Sequence, residues 1–180
     1  LGPGTIGQAI ARAASWRGAQ RVVVVGLDDA ARLATARAVG ATHTIDLAEQ
    51  PDLAAAFHAI TGGQPADVVL EATGHPASVA QGLPLLKRRG IFVVAGIHAT
   101  PAQIDLTALV RKRQQLRGAH SSPRHSWETV ARRIAQAPHE VQPMVSLRLP
   151  LEQALHGFER CVARDVSKVV LLPGATAPNP

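Results

Sequence analysis

The chain has 180 residues, 46% of them hydrophobic and 18% charged, which is the balance of a globular domain rather than a disordered or fibrous one. A single cysteine, Cys161, excludes a disulfide framework or a multi-cysteine zinc knot, and no apolar run nears the roughly 20 residues that span a bilayer. The net charge of +6 rests on 19 basic residues, 16 of them arginines spread along the chain, with no Tyr and only five Phe and Trp, so neither a nucleic acid nor a membrane is the expected partner.

In chain order, Leu1 is followed by Gly2-Pro3-Gly4-Thr5-Ile6-Gly7, which reads G-x-G-x-x-G. Such a turn ordinarily leaves a strand and opens a helix. The helix is predicted, with Ile6, Ile10, Ala13 and Ala14 on its covered face and Arg12 and Arg17 pointing away. No strand precedes the glycines, so the first strand is expected upstream of Leu1 and the chain is read as the C-terminal part of a longer protein. Short β-branched runs then recur at 21–25, 42–45, 67–70, 91–95 and 115–119. Their spacing is that of repeated βαβ crossovers. Val22, Val23, Val24 and Val25 are apolar throughout, as a parallel strand covered on both faces requires. A doubly wound parallel α/β sheet is predicted.

Between the strands, a helix over 30–39 ends at Gly40, and the helix after Pro76 meets Pro84, which should kink or end it. Trp127, Val130 and Ile134 mark another helix, with Trp127 read as packing. Leu151, Leu155, Phe158 and Val162 mark the last, where Cys161 is read as a small packed residue. The Pro- and Ala-rich stretch 173–180 is expected to fray.

The opening glycines have a physical role. The first permits the turn, the second lets the backbone approach a pyrophosphate, and the third lets helix and strand pack closely. The free N–H groups and positive end of the helix then face the phosphates. An acid about 20 residues further on would bind the ribose of NAD. The strand here ends Val25-Gly26-Leu27-Asp28-Asp29, so Asp28 is the candidate, although Asp28 or Asp29 could equally cap the next helix. Arg32, one turn on, suits NAD or NADP. Thr73, in Glu71-Ala72-Thr73-Gly74, either touches the cofactor or belongs to a helix-capping turn. His98 is a weaker candidate for reaching the ligand, and His43 is read as structural.

These residues resemble the cofactor half of the zinc-containing medium-chain alcohol, polyol and threonine dehydrogenases. The resemblance is carried by the glycine turn, Arg32-Leu33, Gly40-Ala41, Asp67 to Gly74, Val94-Ala95-Gly96-Ile97, Leu116-Arg117-Gly118, Pro150 to Ala154 and Lys168 to Leu171. It implies a Rossmann-like dinucleotide-binding domain at 1–141 and, at 142–172, a return segment of the catalytic domain. Carried over, Gly2, Gly4, Thr5, Ile6 and Gly7 hold the pyrophosphate, and Arg32 lies near the adenosine ribose. Ala95, Gly96, Ile97, Ala119 and His120 line the nicotinamide side. The family's ribose acid falls on Leu27, with Asp28 beside it, which leaves NAD favoured and NADP possible. The resemblance also implies a catalytic zinc whose ligands are expected before Leu1, an alcohol or polyol substrate and a homo-oligomer in the full-length protein, this part alone being inactive. The single cysteine and the lack of a visible apolar leader point to a reducing compartment, read as the cytoplasm. A zinc-free NADPH-dependent reductase of quinones or enones and a non-catalytic dinucleotide-binding module are the alternatives.

Overall fold

The structure, a computed structural model, describes residues 1–174, so 175–180 of the expected frayed tail lie outside the described residues. Strands and helices alternate as the spacing predicts: α1 (Thr5–Trp16), β1 (Val23–Gly26), α2 (Ala30–Ala38), β2 (His43–Asp46), α3 (Leu53–Thr61), β3 (Ala66–Glu71), α4 (Pro76–Gly82), β4 (Leu86–Val94), α5 (Leu106–Lys112) and β5 (Gln115–Gly118). Then come α6 (Arg124–Gln136), β6 (Val145–Pro150), α7 (Ala154–Val162) and β7 (Lys168–Leu172). Pro84 does end its helix: α4 stops at Gly82, and a single 3-10 turn leads into β4.

Among the described residues every strand pair is parallel, in three ladders: β1 with β2, β3 with β4 and β5, and β6 with β7. The first two ladders are joined through Leu1 and Gly2. The nitrogen of Leu1 donates to Leu70 O (2.7 Å), Ala72 N donates to Leu1 O (2.9 Å), and Gly2 N donates to Val25 O (2.9 Å). With this two-residue segment counted first, the order across the sheet is 3-2-1-4-5-6, the doubly wound arrangement.

Adjacent valines serve opposite faces, because side chains alternate along a strand. Val24 packs with Ala11 of α1 and Leu33 and Ala36 of α2, whereas Val25 packs with Leu53, Ala56 and Phe57 of α3. Further along, Val69, Phe92 and Leu86 meet Val79 of α4.

Several expectations are corrected. The buried side of α1 is Gly7, Gln8 and Ala11, while Ile6 is exposed and Arg12 is turned inward. Close approach of Gly7 to Gly2 sets this rotation. β4 starts at Leu86 rather than at Ile91, and its pairing with β3 shifts register across Lys87, Arg88 and Arg89. Trp127, Val130 and Ile134 lie on an exposed face of α6, and Trp127 is 69% exposed rather than packed. Cys161 is likewise exposed, on α7 beside the exposed Leu155, Phe158 and Val162.

Candidate functional site

The glycine turn is built by contact distances. Gly2 has φ +97°, a conformation that costs a residue with a side chain. A Cβ on Gly7 would fall 1.8 Å from Gly2 O, so only glycine lets α1 lie against the end of the Leu1–Gly2 segment. Gly4 differs: a Cβ there would meet nothing but Arg32 Nη1, at 3.9 Å. Gly4 stands immediately before α1, whose first turn carries no acidic residue and receives no side-chain cap. The N–H groups of Thr5, Ile6 and Gly7 have no intrahelical acceptor by the geometry of any helix start. The Thr5 hydroxyl is already committed, donating to Ser167 O. Gln8 Nε2 donates to Pro3 O (2.8 Å) and Ser167 Oγ (2.6 Å), which brings the α7–β7 turn against the start of α1.

At one flank of the turn, β1 ends at Gly26 and Leu27 is 64% exposed. Asp28 follows with φ +49°. Its N–H donates to Asp46 Oδ1 (2.8 Å), Asp29 N–H donates to Asp46 Oδ2 (3.1 Å), and Ala48 N–H donates to Oδ1 (3.0 Å). Burial raises the Asp46 pKa, but these three backbone donors outweigh it and hold the carboxyl below its ordinary range. Asp29 stands at the cap position of α2, yet its side chain caps nothing. It pairs instead with Arg32, Nε to Oδ1 at 2.8 Å and Nη2 to Oδ2. An open hollow of about 440 Å³ lies here, bordered by Leu27, Asp28, Asp29, Arg164 and Asp165.

On the other side, the turns after β3 and β4 meet at Glu71. Its side chain is fully buried. Burial pulls its pKa up, but hydrogen bonds from the Thr73 hydroxyl, Thr73 N–H, His98 and Gly74 N–H overcome this, and the carboxyl titrates below the usual glutamate range. Thr73 is thereby tied into its own turn, with His75 N–H donating to its hydroxyl, and His75 Nδ1 accepts from Ala77 N to cap α4. Ala95, Gly96 and Ile97 follow β4, with Ile97 87% exposed. Ala119 N donates to Val94 O (2.8 Å), which sets Ala119 beside that strand end, with the exposed His120 next in sequence. The predicted residues thus gather at the C-terminal ends of the parallel strands, in two groups flanking the glycine turn. Reading the sequence missed Glu71, Asp46 and Ser167. The available signal for Glu71 was a lone acid closing the apolar run Val68-Val69-Leu70, since a carboxylate there must be met by donors.

A doubly wound sheet whose reversal point carries a glycine turn at a helix start defines a dinucleotide-binding fold. The chain belongs to the zinc-binding dehydrogenase family, whose profile matches residues 5–136. It is 32% identical over 175 residues to an L-threonine 3-dehydrogenase of Bacillus subtilis, covering 96% of this chain and 50% of that protein. It is 32% identical over 160 residues to a sorbitol dehydrogenase of Rattus norvegicus, covering 88% and 44%. Among solved structures, an alcohol dehydrogenase from Thermotoga maritima superposes with a TM-score of 0.86 at 29% identity, covering 96% of this chain and 48% of that one. The chain spans about half the length of the relatives it matches.

The family implies a nicotinamide cofactor and zinc. The residues present fit the first: the space at Gly4, which only Arg32 Nη1 approaches within 4 Å, adjoins a helix start whose N–H groups lack an intrahelical acceptor. They do not fit the second, since among the described residues no three His, Cys, Asp or Glu side chains gather as metal ligands. These residues therefore have no assigned role in holding zinc. No described helix is long and apolar enough to cross a membrane.

Proposed function

We propose that this chain binds NAD(H) and orients its nicotinamide within a zinc-dependent oxidoreductase that moves a hydride between an alcohol or polyol and the cofactor. When bound, the cofactor supplies the hydride chemistry, and the protein supplies position and electrostatics. The N–H groups of Thr5, Ile6 and Gly7 bind the pyrophosphate, and the positive end of α1 favours its charge. The observation that carries this reading is Gly4, a glycine that packing against the protein does not require. Relatives named as threonine, sorbitol and D-arabitol-phosphate dehydrogenases support a substrate bearing a hydroxyl group.

The ribose side favours NAD over NADP. Asp28 and Asp29 follow the end of β1, with Asp165 across the hollow, and the Arg32 guanidinium is paired with Asp29. A 2′-phosphate would bring a further negative charge to these carboxylates, whereas a ribose hydroxyl can donate to them. Calorimetric titration of the polypeptide that carries this chain tests the reading: NADH should bind at least about tenfold more tightly than NADPH, as one unfavourable charge contact is worth. Equal affinities would remove the specificity, and failure of both to bind would remove the function.

We propose as well that the chain divides in two. Residues 1–141 form the cofactor domain, and 142–172, with β6, α7 and β7, belong with the substrate half. The exposed stripe Leu151, Leu155, Phe158 and Val162 supports a covering partner there. Homo-oligomer formation is also proposed, supported by β5 as an outer strand with exposed residues.

A further inference from the structure

We propose that Glu71 is a positioning residue for the nicotinamide end of the cofactor, acting with His98 as a latch between the turns that follow β3 and β4. This rests on the reading of those turns as the nicotinamide side. Glu71 holds both turns at once. Its Oε1 accepts Thr73 N–H (2.6 Å), Gly74 N–H (3.0 Å) and the Thr73 hydroxyl, all from the β3 turn. Its Oε2 accepts His98 Nε2 at 3.0 Å, from the β4 turn. Its backbone carbonyl accepts Ala95 N–H (2.8 Å) and Gly96 N–H (3.0 Å), again from the β4 turn.

The space around the carboxylate is filled by backbone. A Cβ on Gly96 would lie 2.3 Å from Gly74 N and 2.6 Å from Glu71 Oε2, and one on Gly74 would lie 2.4 Å from Ile97 O. The turns therefore touch directly, with the carboxylate set between them. Among the described residues, the other ring nitrogen of His98, Nδ1, is buried without a partner. Glu71 is then the polar anchor of the imidazole. The tautomer with a proton on Nε2 donates to the carboxylate and leaves only a lone pair on Nδ1, which is cheaper to bury than an unpaired N–H. Ile97, exposed between Gly96 and His98, is presented from a turn fixed on both flanks.

The test compares NADH with ADP-ribose, which lacks the nicotinamide, by calorimetry on the polypeptide that carries this chain. In His98→Ala, and in Glu71→Gln, which keeps the side chain's shape, NADH affinity should fall about tenfold while ADP-ribose stays within roughly twofold, the scale of one charge-assisted bond. His98→Gln, whose amide can donate to Oε2, should recover part of the loss. Equal weakening of both ligands in His98→Ala would mark a merely structural role and overturn the proposal, as would unchanged NADH binding. If the unaltered protein binds ADP-ribose but shows no gain from the nicotinamide, the latch fails and the dinucleotide site survives. If it binds neither ligand, both readings fall.

Discussion

Two glycines of the opening turn should answer the same substitution in opposite ways. In Gly7→Ala the new methyl carbon would sit 1.8 Å from Gly2 O, whereas real Cβ contacts stop near 3.0 Å. The helix start and the Leu1–Gly2 segment must therefore separate by more than an ångström. That movement strains the bonds from Gly2 N to Val25 O and from Ala72 N to Leu1 O. Overpacking costs about 1–3 kcal/mol, and each weakened backbone bond adds roughly 1 kcal/mol. Alanine's better helix propensity returns at most about 1 kcal/mol, so the net loss is about 2–4 kcal/mol. In Gly4→Ala the methyl meets only Arg32 Nη1 at 3.9 Å. Its effect on stability should stay within about 1 kcal/mol, set by alanine's poorer capping against its smaller unfolded-state entropy. The methyl instead occupies the approach of the pyrophosphate, so NADH affinity should fall at least about tenfold, the loss of one charge-assisted bond. Urea denaturation followed by circular dichroism and calorimetric titration read the two quantities separately. An unchanged NADH affinity in Gly4→Ala, or an unchanged midpoint in Gly7→Ala, would refute the division of roles.

Arg32→Ala should weaken NADH binding by roughly 1–3 kcal/mol, the worth of a charge-assisted hydrogen bond, and it also frees the buried Asp29 carboxylate; unchanged affinity on titration removes Arg32 from the site. Asp46 has its folded pKa held below the ordinary 3.8, so it contributes stability above that value and loses it as pH falls through the lower folded one. Asp46→Asn should accordingly flatten the decline of the urea midpoint below about pH 4, and a decline as steep as in the unaltered protein contradicts the sign. Gly96→Ala should cost about 1–3 kcal/mol by forcing a methyl between Gly74 N and Glu71 Oε2, while Gly118→Ala, which meets nothing within 4 Å, should leave the midpoint where it is; matching midpoints for the two variants would deny the crowding.

The architecture was legible because its signals are local. β-branched runs recur at a crossover spacing, four valines in a row announce a strand covered on both faces, and the glycine turn announces a helix start. The rotation of α1 was not. Apolar periodicity nominates Ile6 and Ile10 for its inner face, but the governing contact is steric: the helix must turn Gly7 toward the Gly2 carbonyl, and Gln8 and Ala11 follow it inward while Ile6 is left exposed. Trp127 illustrates a second limit. Helical spacing shows which residues share a face, yet it does not show whether another element covers that face. Long-range pairing is the third. Glu71 and His98 are 27 residues apart, and Gln8 and Ser167 are 159 apart, so nothing in either local stretch names its partner.

The position of the site follows from how the chain distributes its helices. α1 and α2 share the Val24 face, and α3 shares the Val25 face with Leu85. Leu1 packs into the clusters on the α3 and α4 side, so the connection from β2 to β3 carries the chain across to the other face. The loops leaving β1 and β3 therefore depart from the sheet in opposite directions, and a crevice opens between them above Leu1 and Gly2. The N–H groups at the start of α1, which have no intrahelical acceptor, lie at this end of the sheet. An elongated ligand laid across the crevice, with its phosphates at the glycine turn, has one end toward Asp28 and Asp29 and the other toward Thr73, Ile97 and Ala119. A dinucleotide has this layout, two nucleoside ends joined by a central diphosphate, and a mononucleotide would leave one flank unused. The carboxylates of Asp46 and Glu71 do matching work on the two flanks, each buried or partly buried, each held ionised by backbone donors of a turn that faces the crevice. A carboxylate withdrawn from water is costly unless it is met by donors, most of all at the fully buried Glu71 and less at the half-buried Asp46, so each holds its own turn in place before any ligand arrives.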